Sequence, residues 1–172
     1  MGSYDFGKDE ICEWVREHFP DPETEILDVG ACDGKWRELL PEYTMDAVEI
    51  WPPYAEALRG KGYREIYNED AGTFAFEWYD LVIFGDVIEH MNVEDAQYTL
   101  DHAWDRCADL IVAVPWQFPQ GEADGNPWQE HIQDDLTPEI FAERYPGLEL
   151  LVDVPAWNYA YFHKARGGER MT

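Results

Sequence analysis

Along the chain, segments whose apolar residues have helical spacing alternate with short apolar runs of the length of a strand. Residues 9–19 carry Ile11 and Val15 at helical spacing and stop at Pro20, which predicts an amphipathic helix. Residues 79–84 form an unbroken apolar run between turn residues, which predicts a buried central strand. The same criteria predict strands at 25–29, 45–50, 64–67 and 110–114, and helices at 33–40 and 53–59.

The last third of the chain predicts two more helices and two more strands. Asn92 can cap a helix, with Asp95 three residues on, and Thr137-Pro138-Glu139 has the composition of a helix start. Strands at 148–154 and 157–164 are joined by Pro155-Ala156 alone. Because this link is too short for a crossover helix, the pair must be antiparallel.

This order of elements predicts one α/β domain over residues 1–172, with a seven-stranded, mostly parallel sheet, an antiparallel last strand and helices on both faces. Such sheets bind ligands at the carboxyl ends of their strands. Chemistry is therefore expected in the residues that directly follow each strand.

Composition favours a soluble cytoplasmic protein. The chain is 45% hydrophobic and 28% charged, as in a globular domain, and its apolar runs are too short to cross a membrane. Its first residues lack the basic and apolar regions of an export signal. The three cysteines form no C-x-x-C pair, which fits reduced thiols.

Charge narrows the range of partners. The formal net charge is −25, and no basic cluster occurs that would bind phosphates. DNA and anionic membranes are therefore not expected as partners, RNA is disfavoured, and a small-molecule or glycan acceptor fits better. The acidity itself is typical of a surface adapted for solubility or for high salt, and the oligomeric state stays open.

A glycine turn follows the first predicted strand. A dinucleotide fingerprint requires glycine at its first, third and sixth positions, which here are Gly30, Cys32 and Lys35, so two of the three fail. A second pattern has glycine at the first, third and fifth positions, which here are Gly30, Cys32 and Gly34. Only the middle glycine is replaced, and by the small residue cysteine. The turn precedes a helix whose first amide groups can bind a ligand.

The run Ile26-Leu27-Asp28-Val29-Gly30-Ala31-Cys32-Asp33-Gly34 resembles motif I of the class I S-adenosylmethionine-dependent methyltransferases. The resemblance implies their Rossmann-like fold, S-adenosylmethionine as the cofactor, Glu49 as the acid for the ribose hydroxyls and Asp70 as the acid near the adenine amino group. Glu49 alone would also suit NAD. The cofactor-binding residues that this resemblance implies are Asp28, Gly30, Ala31, Cys32, Gly34, Glu49, Ile50, Trp51, Asp70, Ala71 and Asp86.

Acids and a histidine follow the central strand in Gly85-Asp86-Val87-Ile88-Glu89-His90. On one helical turn, Asp86, Glu89 and His90 would share a face, either as a general-base cluster or as ligands of a divalent cation. The run resembles that of the ubiquinone-biosynthesis O-methyltransferases and the small-RNA 2′-O-methyltransferases, which have glutamate in place of Asp86. In those enzymes such a run and a later histidine hold a metal.

The later histidine is expected in residues 116–133, a long irregular stretch at the cleft edge that is typical of a lid. Within it, His131 falls where the second histidine of that subset would lie. We thus expect Asp86, His90 and His131 to be catalytic, and Asp86, Glu89, His90 and His131 to be candidate ligands of Mg, Mn or Zn. Trp116 and Trp128 are candidates for an aromatic wall.

Methyl transfer to a hydroxyl requires that the hydroxyl proton be removed, by a base or with the help of a cation. The acid and histidine cluster therefore favours O-methylation of a small-molecule or glycan-like hydroxyl. N-methylation of an amine stays open, because an acidic cleft attracts cations. Two further alternatives are a non-catalytic binding module of the same fold and a nucleotide-dependent oxidoreductase, which the glycine spacing disfavours.

Overall fold

The computed structural model describes residues 5–166, so the outermost ends of the predicted domain lie outside the described residues. Its helices are α1 (Lys8–His18), α2 (Lys35–Leu39), α3 (Pro52–Ala57), α4 (Val93–Trp104) and α5 (Pro138–Arg144). Its strands are β1 (Glu25–Val29), β2 (Thr44–Val48), β3 (Ile66–Tyr67), β4 (Tyr79–Gly85), β5 (Cys107–Pro115), β6 (Glu149–Val154) and β7 (Tyr159–Ala165).

The seven strands of residues 5–166 form one sheet in the order β3-β2-β1-β4-β5-β7-β6. The five strands from β3 to β5 are mutually parallel, and β7 runs antiparallel to both of its neighbours. The predicted fold class, with its antiparallel last strand, is therefore confirmed. Strand order reverses between β1 and β4, and a crevice at such a point is where ligands of open α/β sheets bind.

Side chains alternate between two apolar layers, as expected for a strand buried on both faces. In β4, Leu81 and Ile83 pack with α1 on one face, while Val82 and Phe84 pack with α4 and α5 on the other. Helices thus cover both faces, as predicted. No helix within residues 5–166 is both long and apolar enough to cross a membrane.

The caps predicted for α4 and α5 are present. The Asn92 side chain accepts a hydrogen bond of 2.9 Å from the Asp95 amide, and Thr137 Oγ1 accepts one of 3.2 Å from the Ile140 amide. Such caps stabilise a helix by about 1 kcal/mol each.

Several predicted boundaries were wrong by a few residues, for local physical reasons. The predicted strand 45–50 is observed over Thr44–Val48, since the chain leaves the sheet after Glu49 to enter α3, which begins at Pro52. The predicted helix 33–40 begins only at Lys35, since its first residues form a turn that closes at Gly34 with φ 78°. The predicted strand 157–164 begins at Tyr159, after a short 3-10 turn over Pro155–Trp157.

Asp28 on β1 is a carboxylate in the interior, 1% exposed. Its Oδ2 atom accepts a hydrogen bond of 2.6 Å from the Tyr63 hydroxyl, while Oδ1 has no hydrogen-bond partner among residues 5–166. Burial raises the pKa of Asp28 to about 7, against the opposing effects of the Tyr63 hydrogen bond and of the Lys8 charge. The ionised form is therefore disfavoured in the folded protein.

We expect Gly30→Ala to lower the free energy of unfolding by about 3 kcal/mol. Gly30 has φ 72°, and an added Cβ would lie 2.4 Å from Val87 Cγ2. Gly60→Ala is the matched control, since Gly60 has φ 82° with open space around it, and it should cost only about 1 kcal/mol. Urea denaturation measures both, and equal losses would contradict the proposed clash.

Asp28→Asn should become more stable relative to the wild type as the pH rises from about 4 to about 7. Because the pKa of Asp28 is raised on folding, the folded wild type binds more protons than the unfolded chain in this window. The free energy of unfolding of the wild type therefore falls as the pH rises, and the asparagine variant does not show this fall. The relative gain should reach about 3 kcal/mol. Chemical denaturation at several pH values measures it.

The control for this pH series is Leu27→Val, which changes a buried neighbour of Asp28 on β1 without adding or removing a titratable group. Its stability difference from the wild type should stay nearly constant over the window. A flat difference for Asp28→Asn as well would show that Asp28 ionises in the folded protein as it does in the unfolded chain.

Candidate active site

A cleft of about 410 Å³ opens at the carboxyl ends of β1, β2, β4 and β5. This volume is in the range of small-molecule and cofactor sites. The cleft lies where the strand order reverses, between the glycine turn after β1 and the acidic run after β4. Within residues 5–166, no lysine or arginine lines it.

The glycine turn is tied to the end of β2 by hydrogen bonds. The amide of Gly30 donates to the Val48 carbonyl at 2.8 Å. The Glu49 carboxylate accepts from the Cys32 amide at 2.9 Å through Oε2 and from the Trp51 amide at 2.8 Å through Oε1. Burial raises the pKa of Glu49, and these two amide hydrogen bonds oppose that effect. Each carboxylate oxygen has a second lone pair that can accept a hydrogen bond from a hydroxyl group of a ligand.

The cleft brings together most of the residues predicted to bind the cofactor, which are Gly30, Cys32, Glu49, Ile50, Asp70, Ala71 and Asp86. Four others, Asp28, Ala31, Gly34 and Trp51, lie outside its lining. Asp28 accepts a hydrogen bond from Tyr63, and Gly34 directly precedes α2. These two residues therefore belong to the structure that supports the turn and not to the cleft wall. Whether a cofactor contacts them stays a prediction.

The expectation that Asp86, Glu89 and His90 share a face of one helical turn was wrong. Asp86 has φ 58° and lies before a short 3-10 turn that comprises only Ile88–His90. The left-handed backbone at Asp86 turns the chain sharply at the end of β4. Asp86 consequently does not belong to the helical turn that contains the other two residues.

Glu89, His90 and His131 converge, with one possible ligand atom from each lying within 4.8 Å of the others. The two imidazole rings meet edge to face, with centroids 4.6 Å apart. Asp86 is not part of this group, so the structure assembles three of the four predicted metal ligands. Two imidazoles and one carboxylate are a donor set that suits a divalent transition metal.

Hydrogen bonds to carbonyl groups fix the orientation of both histidines. His90 Nδ1 lies 3.0 Å from the Glu130 carbonyl oxygen, and His131 Nδ1 lies 2.6 Å from that of Phe118. A carbonyl only accepts, so each Nδ1 carries the proton and each Nε2 keeps its lone pair. Burial lowers the pKa of His90 to about 4 and also lowers that of His131. Both rings are therefore neutral near pH 7, as metal ligands must be.

Glu89 is the least expected side chain of the group. It is 1% exposed, and neither of its carboxylate oxygens has a hydrogen-bond partner among residues 5–166. Burial and the charge of Asp86 raise the pKa of Glu89 well above its usual value. An unpartnered buried carboxylate is costly, and a bound cation would offset that cost.

Residues 116–133 are largely irregular, as expected, apart from a short 3-10 turn over Pro127–Gln129. The segment is fastened to the acidic run, since the Ile132 amide donates to the Glu89 carbonyl at 2.8 Å. Phe118 and Trp128 line the mouth of the cleft and are partly exposed. Trp116 does not form part of this wall, because it packs edge-on against Phe141 and Phe162 in the core.

Sequence reasoning missed one contact of the site. Tyr159 of β7 reaches Asp86, which lies 73 residues earlier, and its hydroxyl donates to Asp86 Oδ1 at 2.6 Å. The sequence pattern placed Tyr159 only in a hairpin. No local signal marks the contact, because it depends on β7 lying next to β5.

Comparison with known proteins gives structural matches only. No protein-family model matches the chain, and a sequence comparison with curated proteins finds no match. Among solved structures, the chain is similar to a SAM-bound amino pentose methyltransferase from Micromonospora echinaspora, with 16% identity and a TM-score of 0.69 over 92% of this chain and 89% of that one.

Two further structures resemble the chain. SAM-bound magnesium protoporphyrin IX methyltransferase from Synechocystis matches with 16% identity and a TM-score of 0.64, over 92% of this chain and 77% of that one. The N-methyltransferase NodS from Bradyrhizobium japonicum matches with 13% identity and a TM-score of 0.63, over 92% and 96%. With this sheet order and these neighbours, the chain has the fold of the class I S-adenosylmethionine-dependent methyltransferases.

Proposed function

We propose that the protein is an S-adenosylmethionine-dependent methyltransferase that acts on a hydroxyl group of a small-molecule or glycan-like acceptor. The observation that supports this most strongly is the cleft itself. It joins the Gly30 turn and the buried Glu49 carboxylate to the group formed by Glu89, His90 and His131. A cofactor cradle and a polar cluster thus share one space, as group transfer requires.

The lining residues fit the proposed cofactor. We assign Glu49 to the ribose hydroxyls, for which it has free lone pairs, and Asp70, Ile50 and Ala71, which line the same cleft, to the adenine ring. S-adenosylmethionine supplies a methyl group on a positively charged sulfur, which is already activated for in-line transfer. The protein must then place the acceptor oxygen in line and provide for its proton.

The two histidines are weak bases for that proton. With a pKa of about 4, the His90 imidazole has little affinity for a proton held by an alcohol or a phenol. Their geometry suits a different role, because both Nε2 lone pairs and the Glu89 carboxylate can ligate a divalent cation such as Mg, Mn or Zn. Such an ion, when bound, supplies a charge that lowers the pKa of an acceptor hydroxyl.

The walls of the cleft indicate the type of acceptor. Phe118 and Trp128 at its mouth offer flat apolar surfaces for a sugar face or an aromatic ring. Within residues 5–166, acids line the cleft and no lysine or arginine does, which disfavours acceptors that carry a phosphate. The net charge of −25 disfavours RNA. The same acids would attract an amine, so N-methylation is the second candidate. A cytoplasmic location fits the reduced state of Cys12, Cys32 and Cys107.

We expect S-adenosylhomocysteine, at about a hundred times its dissociation constant, to stabilise the protein by about 2.7 kcal/mol. This corresponds to a rise of about 5 °C in Tm, measured by thermal unfolding, while NAD should give none. Calorimetry should show that Glu49→Gln weakens binding of S-adenosylhomocysteine by more than tenfold. The Cys32 and Trp51 amides donate to the two oxygens of Glu49, and glutamine has only one side-chain oxygen to accept them.

The matched control for Glu49→Gln is Glu77→Gln, which changes an exposed glutamate in the same way and should bind normally. If neither ligand raised Tm, the protein would be a non-catalytic module of this fold. If NAD alone raised it, the protein would be a nucleotide-dependent oxidoreductase.

Calorimetric titration of the chelator-treated protein with Mn²⁺ should reveal one site. Glu89→Gln and His131→Ala should each weaken Mn²⁺ binding by at least tenfold, since each removes one of three protein ligands. His102→Ala, which changes an exposed histidine on α4, should bind Mn²⁺ like the wild type.

The same metal dependence separates the two candidate reactions. In a screen of hydroxyl and amine acceptors, chelator should abolish methylation of hydroxyl acceptors if the proposal holds. Chelator-resistant methylation of amines would favour the second candidate. Undiminished Mn²⁺ binding by both ligand variants would contradict the ligand assignment.

A further inference from the structure

The carboxylate of Asp86 differs from its acidic neighbours in how it is held. It lines the cleft, directly after β4, and its backbone has the left-handed φ of 58°. Its amide donates to the Ala113 carbonyl of β5 at 3.3 Å. A non-glycine residue in this conformation costs about 1 kcal/mol or more, so its surroundings must impose the geometry.

Tyr159 constrains the Asp86 side chain by a hydrogen bond. It is 1% exposed, and its hydroxyl donates to Asp86 Oδ1 at 2.6 Å. Because Tyr159 pairs with Pro115 in the antiparallel ladder between β5 and β7, the rigid sheet fixes its position. A hydrogen bond from a buried hydroxyl to a carboxylate is of the stronger, charge-assisted kind.

A buried cation interacts with the charge of Asp86. Lys8, at the start of α1, is 1% exposed, and its Nζ lies 4.7 Å from the centroid of the Trp36 ring. Burial lowers the pKa of Lys8, and Asp86 and Asp28 are the acids that oppose this most. The attraction between this ammonium and the Asp86 carboxylate stabilises both charges.

Asp86 is correspondingly absent from the group that Glu89, His90 and His131 form. Its Oδ1 is directed to Tyr159, on the strand that follows β5 in the sheet. Gly30, the first residue of the glycine turn, lines the same cleft. Asp86 and Glu89 thus have different partners, although the charge of Asp86 still acts on Glu89.

We propose that Tyr159 is a positioning residue that holds the Asp86 carboxylate toward the cationic end of the cofactor and away from the metal group. This inference rests on the proposed function. It assigns Glu89 with the two histidines to the metal and the acceptor, and Asp86 to an ammonium or sulfonium charge of S-adenosylmethionine. Lys8 is a buried cation whose charge interacts with that of Asp86.

The test compares calorimetric binding of S-adenosylmethionine, S-adenosylhomocysteine and Mn²⁺ by the full chain and its variants. Tyr159→Phe should weaken cofactor binding about tenfold, because it removes one charge-assisted hydrogen bond, and should leave Mn²⁺ binding unchanged. Equal weakening for both cofactor forms places Asp86 at the ammonium, and a larger loss for S-adenosylmethionine places it at the sulfonium.

Tyr79→Phe is the matched control. Tyr79 is buried on β4, and its hydroxyl donates to Asp46 Oδ2 at 2.9 Å, so the variant loses a buried hydrogen bond from a tyrosine to a carboxylate that does not line the cleft. It should bind the cofactor normally. Cofactor binding weakened to the same extent in both variants would indicate a general structural effect and overturn the proposal.

Asp86→Asn tests the same inference without altering the core, since asparagine tolerates a positive φ. It should weaken cofactor binding by about tenfold or more, and Tyr159→Phe should add little in its background, because both act through one carboxylate. Fully additive losses, or unchanged cofactor binding by Asp86→Asn, would overturn the proposal. Failure of the proposed function is a separate result, in which the wild type binds no S-adenosylhomocysteine.

Discussion

The site depends on one carboxylate that joins two turns. Glu49 follows β2 and accepts the Cys32 amide with one oxygen and the Trp51 amide with the other. The turn after β1 and the turn after β2 are thereby held at a fixed separation, and the cleft opens beside them. Since Glu49 is buried, these hydrogen bonds are stronger than they would be in water. The same oxygens remain able to accept a hydrogen bond from a ligand, so one group both maintains the cleft and presents acceptors to it.

Regular structure supplies the framework, and irregular structure supplies the reactive groups. Cys32 and Asp86 both have positive φ, and His131 lies on the irregular segment 116–133. Strained positions of this kind persist only where their surroundings determine them, here through the ends of β1, β4 and β5. The Glu89 carboxylate also lowers the stability of the fold, because it is buried and its oxygens have no hydrogen-bond partner among residues 5–166. It too lies at the cleft.

The framework was predictable from the sequence because it rests on local patterns. Apolar runs such as 79–84 and caps such as Asn92 each determine an element within a few residues, and the alternation of strands and helices predicts a mostly parallel sheet. The convergence of His90 and His131 was anticipated from spacing and resemblance. The Tyr159 contact was not, because it depends on the neighbour relation of β5 and β7. The sharing of one face by Asp86 and Glu89 was predicted wrongly, because helical spacing was assumed where the backbone turns to the left.

The position of β7 has a consequence for biosynthesis. This strand inserts between β5 and β6, and it pairs residues as far apart as Asp109 and Ala165. During synthesis the chain emerges from its amino end, so every other strand of the sheet leaves the ribosome before β7 does. Until then, Asp86 lacks its tyrosine and β5 exposes an unpaired edge. A nascent chain therefore carries the whole glycine turn well before β5 is paired on both edges and before Asp86 has its tyrosine partner.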